Sequence, residues 1–403
     1  MKPIHNISIY FLIILHIASS CHTSNYKPEG SDINFLIDSL EYIYAPDKRV
    51  ALWNVSVSED SNKVRLIGEL DSEIAYNKIV ELVNRLYPNS EIQINLLPEK
   101  GNDQIVNSLA NNSVINLRSK SRHSAEIATQ VLLGTPLKIL KMEREWYLVQ
   151  TPNKYIAWTD DDAIVKINGE ELQEYRKAKK IVFNRQYGFS WVEPDKTSQV
   201  VTDLVLGCIL QVEGSNGKFY HVQYPDGRLA FVMKEEFVDF EELARKEIDE
   251  EKIIETAKKF MGIPYLWGGT SSKAIDCSGF TSTVYFMNGT VLQRDASQQT
   301  KYGKEITTEY DYRQLEPGDL LFFGRPATDS VSERVTHVAL YMNDSEFIHA
   351  SGRVKINSID STKSNFITTY PPRFIRATRV KGYFDNFGIQ RISDNDFFKQ
   401  ILN

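Results

Sequence analysis

The chain has 403 residues, 42% of them apolar and 25% charged, with a net charge of −6. That length suffices for two to four compact domains, and the composition is that of an ordinary globular protein. A mildly acidic chain with no lysine- or arginine-rich stripe is not built to neutralise phosphates, which argues against a nucleic-acid binder or a protein held to anionic lipid by charge.

Residues 1–21 read as a targeting segment rather than as part of a fold. Lys2 gives a weak positive start, Ile7 to Ile17 form an apolar run broken by His16, and Ala18, Ser19 and Ser20 precede Cys21. The run is too short for a spanning helix. Small residues ending on a cysteine resemble the lipobox of bacterial lipoproteins, in which that cysteine is lipidated and becomes the N-terminus. The expectation is an exported protein held to a membrane by lipid on Cys21 and facing the periplasm, with an ordinary signal peptide as the alternative.

Residues 22–110 carry a β-β-α-β pattern. Trp53, Val55 and Val57 alternate, as do Val64 and Leu66 beyond a polar turn. Ile74, Ile79, Val80, Leu82, Val83 and Leu86 then recur at helical spacing up to Tyr87-Pro88, and Ile92 and Ile94 begin another strand. No chemistry stands out here, so a small structural or docking domain of α/β type is expected.

The next two segments repeat one another. Gly134 matches Gly207, Tyr147 matches Tyr220, Val149-Gln150 matches Val222-Gln223, Pro152 matches Pro225 and Ala157 matches Ala230, always at the same offset. Short alternating strands separated by turns suit two small antiparallel barrels, residues 111–168 and 169–240. Asn116-Leu117-Arg118, Leu133-Gly134-Thr135-Pro136 and Trp146-Tyr147-Leu148-Val149 resemble a bacterial SH3-like domain, a kind that binds wall peptides or positions a catalytic neighbour.

A charged amphipathic helix with Ile253, Ile254, Ala257 and Phe260 on one face leads into the last unit, 241–403, whose tail from Lys381 is expected to pack on it. In Asp276-Cys277-Ser278-Gly279-Phe280 a polar stretch precedes an apolar run, so a helix should start at the cysteine, capped by Asp276 or Ser278. Backbone N–H groups at a helix start favour an anion and can lower a thiol pKa to roughly 3.5–7.5. The chain's remaining cysteine, Cys208, lies in the apolar run Leu204 to Leu210, and the two contexts do not suggest a disulfide.

Val335 to Tyr341 and Glu346 to Ala350 alternate as strands around Met342-Asn343-Asp344. A three-residue loop there would set His337 opposite His349, with Cβ atoms about 4.5–5.5 Å apart. Cys277 as nucleophile, His337 as base and His349 as its orienting partner is one reading. A zinc site from the same three residues and a pair of core histidines are the others.

Tyr265-Leu266-Trp267-Gly268-Gly269, Asp276-Cys277-Ser278-Gly279-Phe280, Pro317-Gly318-Asp319-Leu320-Leu321-Phe322-Phe323 and Thr336-His337-Val338-Ala339-Leu340-Tyr341 resemble, in that order, the motifs of the NlpC family of papain-like cell-wall cysteine peptidases. The resemblance implies an α+β multidomain protein: a papain-like catalytic domain, two SH3-like barrels and the N-terminal α/β domain. It implies Cys277 as nucleophile, His337 as general base, His349 as third residue, and no metal or organic cofactor. Tyr265 would lie beside the nucleophile, Pro317-Gly318-Asp319 would be a turn, and Gly268 and Gly269 would allow close backbone approach. With tandem SH3-like domains the chain looks like the γ-D-glutamyl-L-diamino acid endopeptidases, which act on wall-derived peptides whose L-Ala has a free amine. Glu126, or else Tyr155, would then meet that amine; Asp276, Ser278, Asp295 and Ser297 would contact the peptide. A general NlpC-type wall endopeptidase, an amidase or acyltransferase with the same triad, and an inert wall-peptide binder are the alternatives.

Overall fold

A computed structural model describes residues 33–60, 63–98, 107–307 and 312–403. The targeting segment and Cys21 lie outside the described residues. Among the described residues no helix is long and apolar enough to cross a membrane.

The N-terminal lobe pairs Trp53–Asp60 antiparallel with Lys63–Leu70, which in turn pairs parallel with Glu91–Leu96. The parallel step needs a crossover, and the helix Glu73–Leu86 supplies it, started by the Ser72 hydroxyl accepting from the Ala75 N–H. Ala75, Ile79, Leu82 and Val83 form its buried face, while Ile74 is exposed. A helix absent from the sequence reading, Ile33–Tyr44, covers the same core with Ile33, Ile37 and Leu40.

Two seven-stranded sheets follow, and they are copies. The first runs Ile164–Ile167, Asn107–Ala110, Pro136–Glu143, Trp146–Gln150, Ile156–Asp160, Val114–Arg118, Ile127–Leu132. The second runs Phe237–Asp239, Lys180–Phe183, Ile209–Asn216, Phe219–Gln223, Leu229–Met233, Tyr187–Trp191, Val200–Val205, the same order throughout. Even the bulges correspond: Ile139/Lys141 with Val212/Gly214, and Leu117/Arg118 with Ser190/Trp191. The first copy takes Asn107–Ala110 as a strand, so it starts a few residues before the expected boundary at 111. Gly134 belongs to the repeat for a local reason: its φ is +75°, and a Cβ there would stand 2.3 Å from the Ile209 carbonyl of the second copy.

The catalytic unit is a six-stranded antiparallel sheet in the order Lys304–Thr307, Phe374–Arg379, Leu320–Arg325, Arg334–Asn343, Glu346–Ser351, Arg353–Ser358. Against it packs the helix Cys277–Phe286, whose Phe280, Val284 and Tyr285 are buried with Val338, Leu340 and Ile348 of the sheet. Glu250–Lys258 is the expected amphipathic helix, burying Ile253 and Ala257, with Phe260 buried just beyond its end. Pro317-Gly318-Asp319 is a turn into a core strand, with the buried Asp319 carboxylate held by the Arg379 guanidinium at 2.9 and 2.8 Å. The tail pairs Ile389–Arg391 with Thr290–Leu292 and buries Phe398, Ile401 and Leu402 in the main core. That core also takes in Leu109 and Ile167 of the first barrel and Val182, Leu206 and Ile209 of the second, while each barrel keeps a core of its own.

Candidate active site

The nucleophile helix begins where the sequence places it. Asp276 is its N-cap and accepts from the Gly279 N–H at 2.7 Å; Cys277 is the first helical residue and is 7% exposed. Gly279 is required: a Cβ there would stand 2.1 Å from the Gly269 carbonyl. Gly268 has φ +82° and leaves no room for a Cβ beside Ile127 of the first barrel, which brings that barrel up to the helix start.

The same carboxylate carries a second load. Its oxygens accept from the Gly268 N–H at 2.9 Å and pair with Arg294 at 2.7 and 3.2 Å, and both side chains are nearly fully buried. Arg294 also donates to Ser278 Oγ at 3.1 Å and, through Nε, to Thr129 Oγ1 of the first barrel at 2.6 Å. Asp276 and Ser278, expected as peptide contacts, thus also hold the start of the nucleophile helix. The role of Arg294 is not legible in the sequence, because its partners lie 16 to 165 residues away.

The strand hairpin differs from the expected one in register. The turn is two residues, Asp344-Ser345, both at positive φ, and Met342 forms a bulge, so that Asn343 faces Glu346 but Tyr341 faces Phe347 and Leu340 faces Ile348. Continued along the strands, that register sets His349 opposite Ala339, which makes the two histidines diagonal neighbours on one face. Diagonal partners are within reach of long side chains. His337 Nε2 meets His349 Nδ1 at 2.8 Å.

Hydrogen-bond chemistry then fixes both tautomers. Asn357 donates from Nδ2 to the Asn365 carbonyl at 3.0 Å, which turns its Oδ1 toward His349 Nε2 at 2.9 Å. Oδ1 only accepts, so His349 carries its proton on Nε2 and accepts at Nδ1. His337 must then donate from Nε2, which leaves its Nδ1 as the basic nitrogen. Both nitrogens of His349 are occupied in this chain of bonds, which disfavours the zinc reading. Among the described residues no group of three or more His, Cys, Asp or Glu side chains is arranged to hold a metal. Asn357 was not singled out in the sequence; a lone Asn on an edge strand carries no signal by itself.

The Val338 N–H, one residue beyond His337, bonds the Cys277 thiol, and Tyr265 stands close enough for the nucleophile's charge to raise its pKa further. Tyr370, buried and unanticipated, packs its ring 5.2 Å from His337 and 5.1 Å from His349. Burial, and next the Asp276 carboxylate, push the Cys277 thiol up to about 12 against the pull of the Val338 and Ser278 N–H groups and Arg294. This corrects the expected low thiol pKa: the helix start is present, but the site is dry and its cap is an anion. Burial first, then His349, Arg373 and Lys355, hold His337 well below the usual imidazole value, and burial holds His349 at about 4. Both shifts favour a neutral thiol beside a neutral imidazole, with the proton passing to His337 as the sulfur attacks.

Cys208 is buried in the second barrel, its thiol also pushed up to about 12 by burial, and it donates to the Ser113 carbonyl. Both described cysteines are free. Glu126 is exposed at the end of a turn, its backbone carbonyl bonded to the Ser119 N–H. Asp295 lies near buried Tyr155, and burial first, then that carboxylate, raise the phenol. Ala296 is buried, and Ser297 faces the same cluster.

A cysteine at a helix start, an imidazole on the facing strand with its basic nitrogen free of the relay, and a second imidazole behind it are the parts of a cysteine hydrolase. The chain belongs to the NlpC/P60 family, whose profile matches residues 262–371, and the bacterial SH3 domain profile matches residues 113–163. Over 260 residues it is 30% identical to a protein named dipeptidyl-peptidase 6 from Lysinibacillus sphaericus, covering 61% of this chain and 89% of the relative. A Bacillus subtilis protein named gamma-D-glutamyl-L-lysine dipeptidyl-peptidase is 27% identical over 235 residues, 56% of this chain and 72% of the relative. The crystal structure of an NlpC/P60 family protein from Bacillus cereus shares the fold, with TM-score 0.58 at 21% identity over 68% of this chain and 99% of that one. The protein is a cysteine peptidase.

Proposed function

We propose that this peptidase hydrolyses the γ-D-glutamyl-L-diamino acid bond of peptidoglycan stem peptides, with Cys277 as nucleophile, His337 as general base and His349 as orienter. The observation that carries the reading is the Asn357–His349–His337 relay, which leaves His337 Nδ1 basic in a strand whose next N–H bonds the Cys277 sulfur. The name of the similar Bacillus subtilis protein supports the bond. Cys277 Sγ attacks the γ-carbonyl carbon as its proton passes to His337. The imidazolium then protonates the departing diamino acid amine, and a thioester remains. Water, deprotonated by His337, displaces the sulfur and restores the thiol.

Peptides with a free N-terminal L-Ala are the preferred substrates on this reading. A desolvated ammonium needs a carboxylate, and Asp295 with the Tyr155 hydroxyl takes the part first expected of Glu126. Export and lipidation at Cys21, with the protein anchored on a membrane facing the periplasm, complete the proposal and rest on the sequence of residues 1–21. Mass spectrometry of L-Ala-γ-D-Glu-L-Lys and its meso-diaminopimelate counterpart after incubation with the full chain tests the reaction. Release of L-Ala-γ-D-Glu supports it; cleavage of another bond, or none, refutes it. Metabolic labelling with a fatty-acid analogue tests the anchor: label in wild type and none in Cys21→Ser is the expected result.

A further inference from the structure

The N-terminal lobe bonds the catalytic unit through the loop after its first helix. Asp47 grips the Arg49 guanidinium with two bonds, Nε to Oδ1 at 2.8 Å and Nη2 to Oδ2 at 2.7 Å. The third nitrogen, Nη1, points the other way, to Asp295 Oδ2 at 2.7 Å and Ser297 Oγ at 3.0 Å. Gln298 donates to Asp47 at 2.9 Å, and the Ile156 N–H donates to the Arg49 carbonyl at 2.8 Å, which locks the loop to both the catalytic unit and the first barrel. Burial works against the Asp47 carboxylate, yet Arg49 and Gln298 hold it at about 2, so the grip is ionic throughout the neutral range.

Asp295 is the residue next to Arg294, whose guanidinium is already neutralised by Asp276 beside the nucleophile. Three carboxylates and two guanidinium groups therefore meet here, as the pairs Arg294–Asp276 and Arg49–Asp295, with Asp47 holding Arg49 from its other side. Seen from the cleft, Asp295 already has its cation. The Asp47–Arg49 pair turns its positive end toward it, which opposes a second cation at the same oxygen.

We infer that Arg49 is a specificity-determining residue contributed by the N-terminal lobe: it competes with the terminal ammonium of the substrate for Asp295 and so weakens the preference of the cleft for free-amine peptides. The inference rests on the reading of Asp295 as the ammonium's partner in a γ-D-glutamyl peptidase. Arg49 stays tethered by Asp47 when substrate binds, giving up only its Nη1 contacts. Removing the guanidinium leaves Asp295 open, so the ammonium binds tighter, while a peptide lacking an ammonium gains nothing.

The test compares full-length wild type, Arg49→Ala and Arg49→Lys on L-Ala-γ-D-Glu-L-Lys, on its meso-diaminopimelate counterpart, and on their N-acetylated forms. The expected result is a KM for the free peptide about tenfold lower in Arg49→Ala with kcat within about twofold, equivalent to one strong hydrogen bond. The acetylated peptides should hold their kcat/KM, and Arg49→Lys, which keeps the charge but loses the fork that Asp47 grips, should fall between wild type and Arg49→Ala. A KM for the free peptide that rises or does not move in Arg49→Ala, or an equal change for both peptides, overturns the inference. Calorimetry of the dipeptide L-Ala-γ-D-Glu on Cys277→Ala protein, with and without Arg49→Ala, reads the same competition without turnover. Tighter binding in the double variant supports it, and equal or weaker binding overturns it. Should wild type cleave none of the peptides, the proposed reaction fails and calorimetry alone decides the competition.

Discussion

Asn357 tests the hydrogen-bond relay more sharply than either histidine, because it meets the relay only through His349 Nε2. In Asn357→Leu the His349 Nε2–H loses its acceptor inside a buried site, so His349 gains by moving its proton to Nδ1. That proton would then face His337 Nε2, which must become an acceptor, and the His337 proton would shift to Nδ1, where the thiol proton has to go. A neutral hydrogen bond of this kind contributes about 1–2 kcal/mol, so the competent tautomer should fall by about five- to thirtyfold. The expected result is a kcat reduced by that factor with KM nearly unchanged, since the substrate loses no contact. Asn357→Asp should restore much of the rate, because a carboxylate also only accepts. It should also move the acid limb of the pH profile upward by stabilising a charged imidazole. Steady-state kinetics from pH 4 to 8 on the three proteins decide the matter. An Asn357→Leu enzyme with wild-type kcat and an unshifted profile would refute the tautomer argument.

Arg294→Ala should cost about 3–5 kcal/mol, because it leaves the buried Asp276 carboxylate uncompensated, and urea unfolding checks this. For the histidines the sign runs one way: their folded pKa values are depressed, so the unfolded chain binds protons first as pH falls. His349, at about 4 against 6.5, should therefore withdraw about 3 kcal/mol of stability between pH 6.5 and 4, a loss absent from His349→Gln when both are unfolded in urea at each pH. By the same depression the acid limb of kcat/KM in the wild type should lie below 6.5, since only neutral His337 accepts the thiol proton.

What the sequence revealed was local or periodic. The repeat was visible because whole strands and bulges recur at one spacing, and the helix start was visible because Asp276 caps within three residues. The hairpin was visible as two alternating strands, but its register was not, since the Met342 bulge depends on the tight Asp344-Ser345 turn. Arg49, Asn357 and Tyr370 escaped for the same reason as the role of Arg294: each acts through partners brought together only by folding. The thiol pKa was misjudged because a helix start can be read from a motif, whereas dryness and the orientation of the Asp276 carboxylate cannot. The nearness of a carboxylate to Tyr155 was hidden in the same way. Glu126 and Asp295 are both acidic loop residues in the sequence, and only the fold puts one of them on Tyr155.

The central claim is that a thioester forms on Cys277 and that His337 drives both its formation and its loss. Rapid mixing of the protein with L-Ala-γ-D-Glu-L-Lys, acid quenching within the first turnover and intact-mass analysis would detect it. The account predicts an adduct of the L-Ala-γ-D-Glu acyl group, mapped by peptide digestion to Cys277, and neither adduct nor dipeptide release in a folded Cys277→Ala protein. Dipeptide release by Cys277→Ala at the wild-type rate, or an acyl adduct on any other residue, would contradict it.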